Sequence, residues 1–309
     1  MVPYGPMAFE PSCMVFHYGQ AVFEGLKAYR QPDGSVRLFR PELNFERINN
    51  SNARMDIPPV DADFCLHALK KLLRIEQDWV PHSEGTSLYI RPFIISLDPY
   101  LGVRSAEHYR FIIILSPSGM YYPQGIEPVP IYVEETYVRA IKGGTGEAKT
   151  PGNYAASIKA QEIANEKGFI QVLWLDGKEH KYIEEVGSMN VFFCIDGVVV
   201  TPELSGSILP GITRRSSIEL IKSWGIPLEE RKLPVAEVLE AAKEGRLDEA
   251  FGTGTAAVIS PIGELRVGDE NYIINNNETG EISHRLYEAM TGMQYGKIED
   301  KFGWTEGID

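Results

Sequence analysis

"MNVFFCIDGVVVTPE" runs from Met189 to Glu203. Two apolar, β-branched runs flank Asp196-Gly197, and Asp-Gly in that setting is a hairpin signal. "FIQVLWLDGKEHKYIEE", Phe169 to Glu185, sets strand-like runs around Asp176-Gly177 and carries the same signal. Hairpins join antiparallel strands, which argues against a purely parallel sheet. Helices surround both hairpins. "NYAASIKAQEIANEKG" reads as a helix ended by Gly168, "GITRRSSIELIKSWG" as one closing before Gly225, and "VAEVLEAAKEGR" as a third. "VPIYVEETYVRA" reads as a strand and "EAFGTGTAAVISPIGEL" as strand, loop, strand. The class is α+β with mixed sheets.

Toward the N-terminus, "SVRLFR" alternates like a strand and runs into "PELNFERINNSNARM", where Pro41 suits a first helical turn. Asp61 can cap "ADFCLHALKKLLRIEQDWV", whose Phe64, Leu69, Leu72, Leu73 and Trp79 fall largely on one face. "SLYIRPFIISL" and "YRFIIILSP" read as strands, and "SPSGMYYPQG" supplies linker residues. The expected division is a smaller domain over 1–117, a linker over 118–127, and a larger domain over 128–309. The 309-residue length agrees with about two domains.

Composition excludes several classes. The longest strongly apolar run, "FIIIL", is far short of the ~20 residues of a membrane helix. "MVPYGPMAFEPS" lacks the basic and apolar parts of a secretory leader, so a cytoplasmic protein is expected. A net charge of −13 without a basic cluster argues against nucleic acid. Three scattered cysteines fit reduced thiols, and six scattered histidines give no metal-ligand spacing, so no metal is expected.

Several residues stand out by their setting. Lys149 sits among small residues in "GEAKTPGNYAAS", either as a solvated loop lysine or as a deprotonated, nucleophilic amine with room for a bulky aldehyde. Glu184 and Glu185 are neighbours in a strand and should face opposite sides, either one toward solvent and one inward toward a cation, or both as a charge pair on an edge strand. Gly211, Ile212 and Thr213 open a helix, where backbone N–H groups can bind an anion or Thr213 can cap. "FGTGTAA" matches G-x-G-x-x-A, but the following "VISPIGEL" is no helix, so a dinucleotide site is rejected and an anion-binding turn with Thr255 remains. Arg40 closes a strand before a helix, as a surface cation or a phosphate clamp. Arg91 interrupts an apolar strand and must be paired or face a cavity.

In order along the chain, "HYGQAVFEGLKAYR", "SLYIRPFI", "KGGTGEAKTPGNY", "EVGSMNVFFCIDGVVVTPELSGSILPGITR" and "FGTGTAA" closely resemble the class IV, fold type IV aminotransferases that use pyridoxal 5'-phosphate, and among them the branched-chain amino acid aminotransferases. The resemblance runs from about Pro3 to "QYGKIED". It implies a two-domain, D-amino acid aminotransferase-like fold. Lys149 then matches the Schiff-base lysine, Glu185 the carboxylate facing the pyridine nitrogen, and Tyr154 the partner of the cofactor's phenolic oxygen. Arg40, Ile212, Thr213 and Thr255 match the phosphate cup. Tyr18, Phe23, Tyr89, Arg91, Tyr121, Ser188 and Ala256 match the substrate pocket. The family is usually dimeric, and Val103 lies in the loop that resembles the neighbour's contribution.

The implied reaction moves the amino group of leucine, isoleucine or valine to 2-oxoglutarate in two half-reactions. D-amino acid transaminases and aminodeoxychorismate lyase share the lysine and the glutamate, and a non-catalytic pyridoxal phosphate-binding protein is the rival from another class. The aromatic-rich "HYGQAVFEG" with "SLYIRP" favours the branched-chain group. Two departures stand out. Family members carry further residues ahead of "VPYGP", so the smaller domain is expected to lack its start. Some relatives carry a CxxC pair where this chain has Ala257 and Ser260, which excludes thiol regulation by that route.

Overall fold

The computed structural model describes residues 1–120 and 126–309. The chain gathers into two units. The first comprises Met1–Met120, Ala148–Gly152 and Met293–Asp309; the second comprises Tyr121–Glu147 and Asn153–Gly292. The first unit thus also takes in two later segments, and of the linker expected over 118–127, residues 121–125 lie outside the described residues.

The first unit is built on a six-stranded antiparallel sheet. Ser87–Ser96 is its spine. It pairs with Ala21–Phe23 and Leu26–Arg30 on one side and Tyr109–Ser118 on the other. Val36–Phe39 extends the sheet, and Thr305–Gly307 closes it. Leu88, Ile90 and Ile94 alternate to the buried face and share a core with the helices Pro41–Arg54 and Ala62–Ile75. Asp61 caps the second helix by accepting from the Phe64 N–H at 2.9 Å.

That helix is shorter than the sequence pattern suggests. It stops at Ile75, and Gln77–Trp79 forms a separate 3-10 turn. Trp79 therefore falls out of register and is exposed, as is Phe64. The buried line is Cys65, Leu69 and Leu73, spaced four apart.

The second unit carries a nine-stranded mixed sheet. Its order is Leu228–Arg231, Val198–Pro202, Asn190–Ile195, Leu247–Gly254, Val258–Val267, Val129–Val133, Gln171–Leu175 and Ile183–Val186, with Glu270–Ile273 paired to Val258–Val267. Three pairings are parallel: Val198–Pro202 with Leu228–Arg231, and Val129–Val133 with both its neighbours. The α+β class with mixed sheets is what the hairpins indicate.

The two Asp-Gly stretches part company. Asp196 (φ 50°) and Gly197 (φ 75°) form the tight turn between Asn190–Ile195 and Val198–Pro202. Asp176 instead accepts from the N–H groups of Lys178, Glu179, Lys181 and Tyr182, which holds a wider loop. The strand expected over "VPIYVEETYVRA" ends at Val133, because Glu134 accepts from the N–H groups of Thr136 and Tyr137 and turns the chain. The helix Pro151–Glu166 ends ahead of Gly168, at φ 88°, as its sequence indicates.

Candidate active site

In the first unit, Lys149 follows the buried Ala148 and lies beside Ala21–Phe23. Its carbonyl accepts from the Phe23 N–H at 3.0 Å, its own N–H donates to the Ser51 hydroxyl at 2.9 Å, and Thr150 donates to the Ala21 carbonyl at 2.9 Å. These bonds fix the backbone, so the side chain's place is set. Its Nζ stands 4.9 Å from the centre of the Phe23 ring. Removal from water lowers the amine to about 8; the Arg47 charge pushes the same way and the Glu24 charge opposes it. Such an amine is deprotonated far more readily than a solvated one.

Glu24 and Arg47 supply that local field. Arg47 grips both Glu24 oxygens, at 2.8 and 2.9 Å, and Asn44 donates to Oε2 at 2.7 Å. Burial would raise the Glu24 carboxyl, but the ion pair outweighs it and holds the group below the usual carboxylate range. Sequence reasoning singled out neither residue. "FEGLKAYR" and "NFERINN" look like an ordinary strand and helix, and their meeting is a tertiary fact.

Arg91 lies over two aromatic faces, 4.8 Å from the Phe23 centroid and 5.2 Å from that of Tyr89, and donates to the Tyr89 hydroxyl at 3.0 Å. Among the described residues no carboxylate pairs with it, so of the two expectations for this cation the buried ion pair is absent. Phe23, Tyr89, Arg91 and Lys149 thus come together in one unit. Arg40 is buried at φ 48° just before the helix Pro41–Arg54, its guanidinium 4.7 Å from the Trp304 centroid. Tyr18 ends the helix Met14–Tyr18 and donates to the Leu101 carbonyl, while Val103, in the same loop as Leu101, is 85% exposed. Tyr121 lies outside the described residues.

In the second unit, both Glu184 and Glu185 are buried, which corrects the expectation that one faces solvent. The strand Ile183–Val186 is covered on both faces, so alternation only sends the two carboxylates to different partners. Glu185 accepts from the Leu209 N–H at 2.7 Å and lies 3.2 Å from Arg139 Nε. Glu184 accepts from the Ser207 hydroxyl. Arg139 also donates to the Ser207 carbonyl. It has no sequence signal of its own, ending an ordinary "YVRA".

The helix Ile212–Ser223 begins after Gly211 with no side-chain cap, so Thr213 does not take the capping role. Asn190 donates to the Leu209 carbonyl at 2.9 Å, and a Cβ on Gly211 would collide with its side chain. Thr253 pairs in register with Asn190, and its buried hydroxyl has no partner among the described residues. A helix start presents backbone N–H groups that no turn of its own can engage, and here it lies next to a glycine that admits no side chain. Thr255 is half-buried just past the strand Leu247–Gly254, Ala256 and Ser188 are exposed, and Tyr154 is half-buried in the first turn of Pro151–Glu166.

The sequence profile of the family described as amino-transferase class IV matches residues 21–265. The chain belongs to the class IV aminotransferases. It is 61% identical over 308 residues to the branched-chain-amino-acid aminotransferase 2 of Bacillus subtilis (strain 168), covering 100% of this chain and 85% of that protein. Among solved structures it is similar to the branched-chain amino acid aminotransferase from Escherichia coli, with TM-score 0.80 and 28% identity over 98% of this chain and 94% of that one. It is also similar to the T.th. branched-chain amino acid aminotransferase complexed with N-(5'-phosphopyridoxyl)-L-glutamate, with TM-score 0.84 and 25% identity over 100% and 96% of the two chains. This class IV aminotransferase has no helix among its described residues long and apolar enough to cross a membrane.

Proposed function

We propose that the chain is a branched-chain amino acid aminotransferase that moves the amino group of leucine, isoleucine or valine to 2-oxoglutarate through pyridoxal 5'-phosphate in a ping-pong cycle. The observation that carries this reading is Lys149: a half-buried amine lowered to about 8, fixed by its backbone beside Phe23, in a chain of this family. The donor set fits the cofactor. Lys149 suits its aldehyde. Arg40, the N–H groups of Ile212 and Thr213, and the Thr255 hydroxyl suit its phosphate. Glu185 suits its ring nitrogen and Tyr154 its phenolic oxygen.

When bound, the cofactor supplies an aldehyde that condenses with amines and a ring that accepts electrons from a deprotonated α-carbon. Lys149 Nζ takes the α-proton of the donor amino acid and returns a proton to the α-carbon of the acceptor in the other half-reaction. Arg139 and the Leu209 N–H steady the Glu185 carboxylate, which would keep a proton on the ring nitrogen. Phe23, Tyr89, Tyr18, Tyr121, Ser188 and Ala256 would shape the substrate's surroundings, with Arg91 receiving a second carboxylate. The reading includes a cytoplasmic homodimer, with the exposed Val103 turned to the second copy. The purified chain, loaded with pyridoxal 5'-phosphate, should form glutamate from leucine and 2-oxoglutarate. Failure with leucine, isoleucine and valine alike, against turnover of a D-amino acid, would overturn it.

A further inference from the structure

A cavity of about 370 Å³ opens in the second unit, and it is lined by Glu184 rather than Glu185. Glu184 is 6% exposed. One of its oxygens accepts from the Ser207 hydroxyl, while Oε2 has no partner among the described residues. Arg139, the nearby cation, is engaged by Glu185 at 3.2 Å and by the Ser207 carbonyl. Burial raises the Glu184 carboxyl above its ordinary value, and the Ser207 hydroxyl and the Arg139 charge lower it only in part.

The rest of the cavity wall is different. Lys142, Lys178 and Lys232 line it, all exposed and none in an ion pair among the described residues. Glu179 and Glu203 also stand there, and Asp176 is occupied by four backbone N–H groups. The charges nearly balance, which does not suit a polyanion. Ile183, Ile208 and Pro202 supply an apolar wall. A ligand that satisfies both ends carries a cation for the buried carboxylate and an anion for the exposed lysines, held apart by an aliphatic stem. An α-amino acid, whose charges sit on adjacent carbons, cannot serve both.

We propose that this cavity is a binding site for a small ω-amino acid, its terminal ammonium on Glu184 Oε2 and its carboxylate among Lys142, Lys178 and Lys232. The test is calorimetric titration of the cofactor-loaded protein with 4-aminobutyrate, 5-aminopentanoate and 6-aminohexanoate, with cofactor absorbance followed in parallel. At least one should bind saturably, one per chain, with no change in that absorbance. Pentylamine and pentanoate, which each lack one charge, should bind at least about tenfold more weakly, the scale of a lost charge-assisted bond. Glu184→Gln should weaken binding by a similar factor. So should the triple change Lys142→Ala, Lys178→Ala, Lys232→Ala, which touches only exposed side chains and keeps the test open should Glu184→Gln fail to fold. The proposal is overturned by no saturable heat with any of the three, by binding that the triple change leaves intact, or by binding that alters the cofactor absorbance.

Discussion

Arg47 holds Glu24 through both carboxylate oxygens, at 2.8 and 2.9 Å, and this buried pair sets the charge felt by Lys149. The nucleophile is the free amine, so the rate at which cofactor-free protein links covalently to pyridoxal phosphate should rise with pH. Its midpoint should lie near 8, well below the ~10.4 of a solvated lysine. Arg47→Met removes a charge that lowers the amine and leaves Glu24 unpaired, which raises it. Both effects move the midpoint up. The variant should also lose about 3–5 kcal/mol of stability, since a buried charge is left alone. Changing Glu24→Gln as well should bring the midpoint back toward that of the unaltered chain. Borohydride trapping across a pH series reads all three; an unmoved midpoint in Arg47→Met would show that desolvation alone sets it.

Lys149→Ala should abolish turnover and the borohydride-reducible link to the cofactor. The proposed phosphate contacts do not involve this side chain, so weak, non-covalent uptake of the cofactor should survive. Mass spectrometry after reduction decides the matter. A modified peptide that persists in the variant would place the reactive amine elsewhere.

Glu185→Gln should lower turnover by about a hundredfold, on the order of 3 kcal/mol, the scale of one preorganised electrostatic contact in a catalytic site. Glu184→Gln, whose residue lines the cavity of about 370 Å³ that Glu185 does not, should cost far less. Steady-state rates on the two purified variants compare them directly, and equal losses would mean that the facing of the strand is misassigned.

Gly146→Ala should destabilise the fold without touching a reacting group. A Cβ there would press into the Ser207 carbonyl and the Ala140 side chain. The Ser207 carbonyl also accepts from Arg139, so it has little freedom to yield. Overpacking of this kind costs about 1–3 kcal/mol. A melting temperature equal to that of the unaltered chain would show that the loop absorbs the methyl.

Much of this was legible in the chain itself. Asp196-Gly197 marks its hairpin because positive φ at both positions leaves few other residue choices, and the Gly211–Thr213 helix start is local chemistry. Lys149 is conspicuous because its neighbours are small. Glu24, Arg47 and Arg139 are not conspicuous, because an ion pair between a strand and a helix leaves no mark on either segment alone. Asp176-Gly177 looks like the other hairpin turn until the Asp176 side chain takes four N–H groups, and the Glu134 turn hides in the same way. The burial of Glu184 beside Glu185 was equally hidden, since alternation assumes that one face of a strand meets water.

Arg91 bears on the double demand of the proposed reaction, which needs surroundings that accept an apolar side chain in one half-reaction and a carboxylate in the other. An apolar slot alone would exclude glutamate, since burying its second charge unpaired is expensive. Arg91 stands over Phe23 and Tyr89, donates to the Tyr89 hydroxyl, and has no carboxylate partner among the described residues, with its buried Nε making no hydrogen bond there. A guanidinium kept in aromatic surroundings without an acid is available to an incoming one. Arg91→Met should lower kcat/KM for 2-oxoglutarate by about 2 kcal/mol, roughly thirtyfold. The leucine half-reaction, followed in single turnover, should change much less, because leucine brings no second carboxylate. A parallel fall in both half-reactions, with a lower melting temperature, would make Arg91 a packing residue and assign acceptor recognition to another cation.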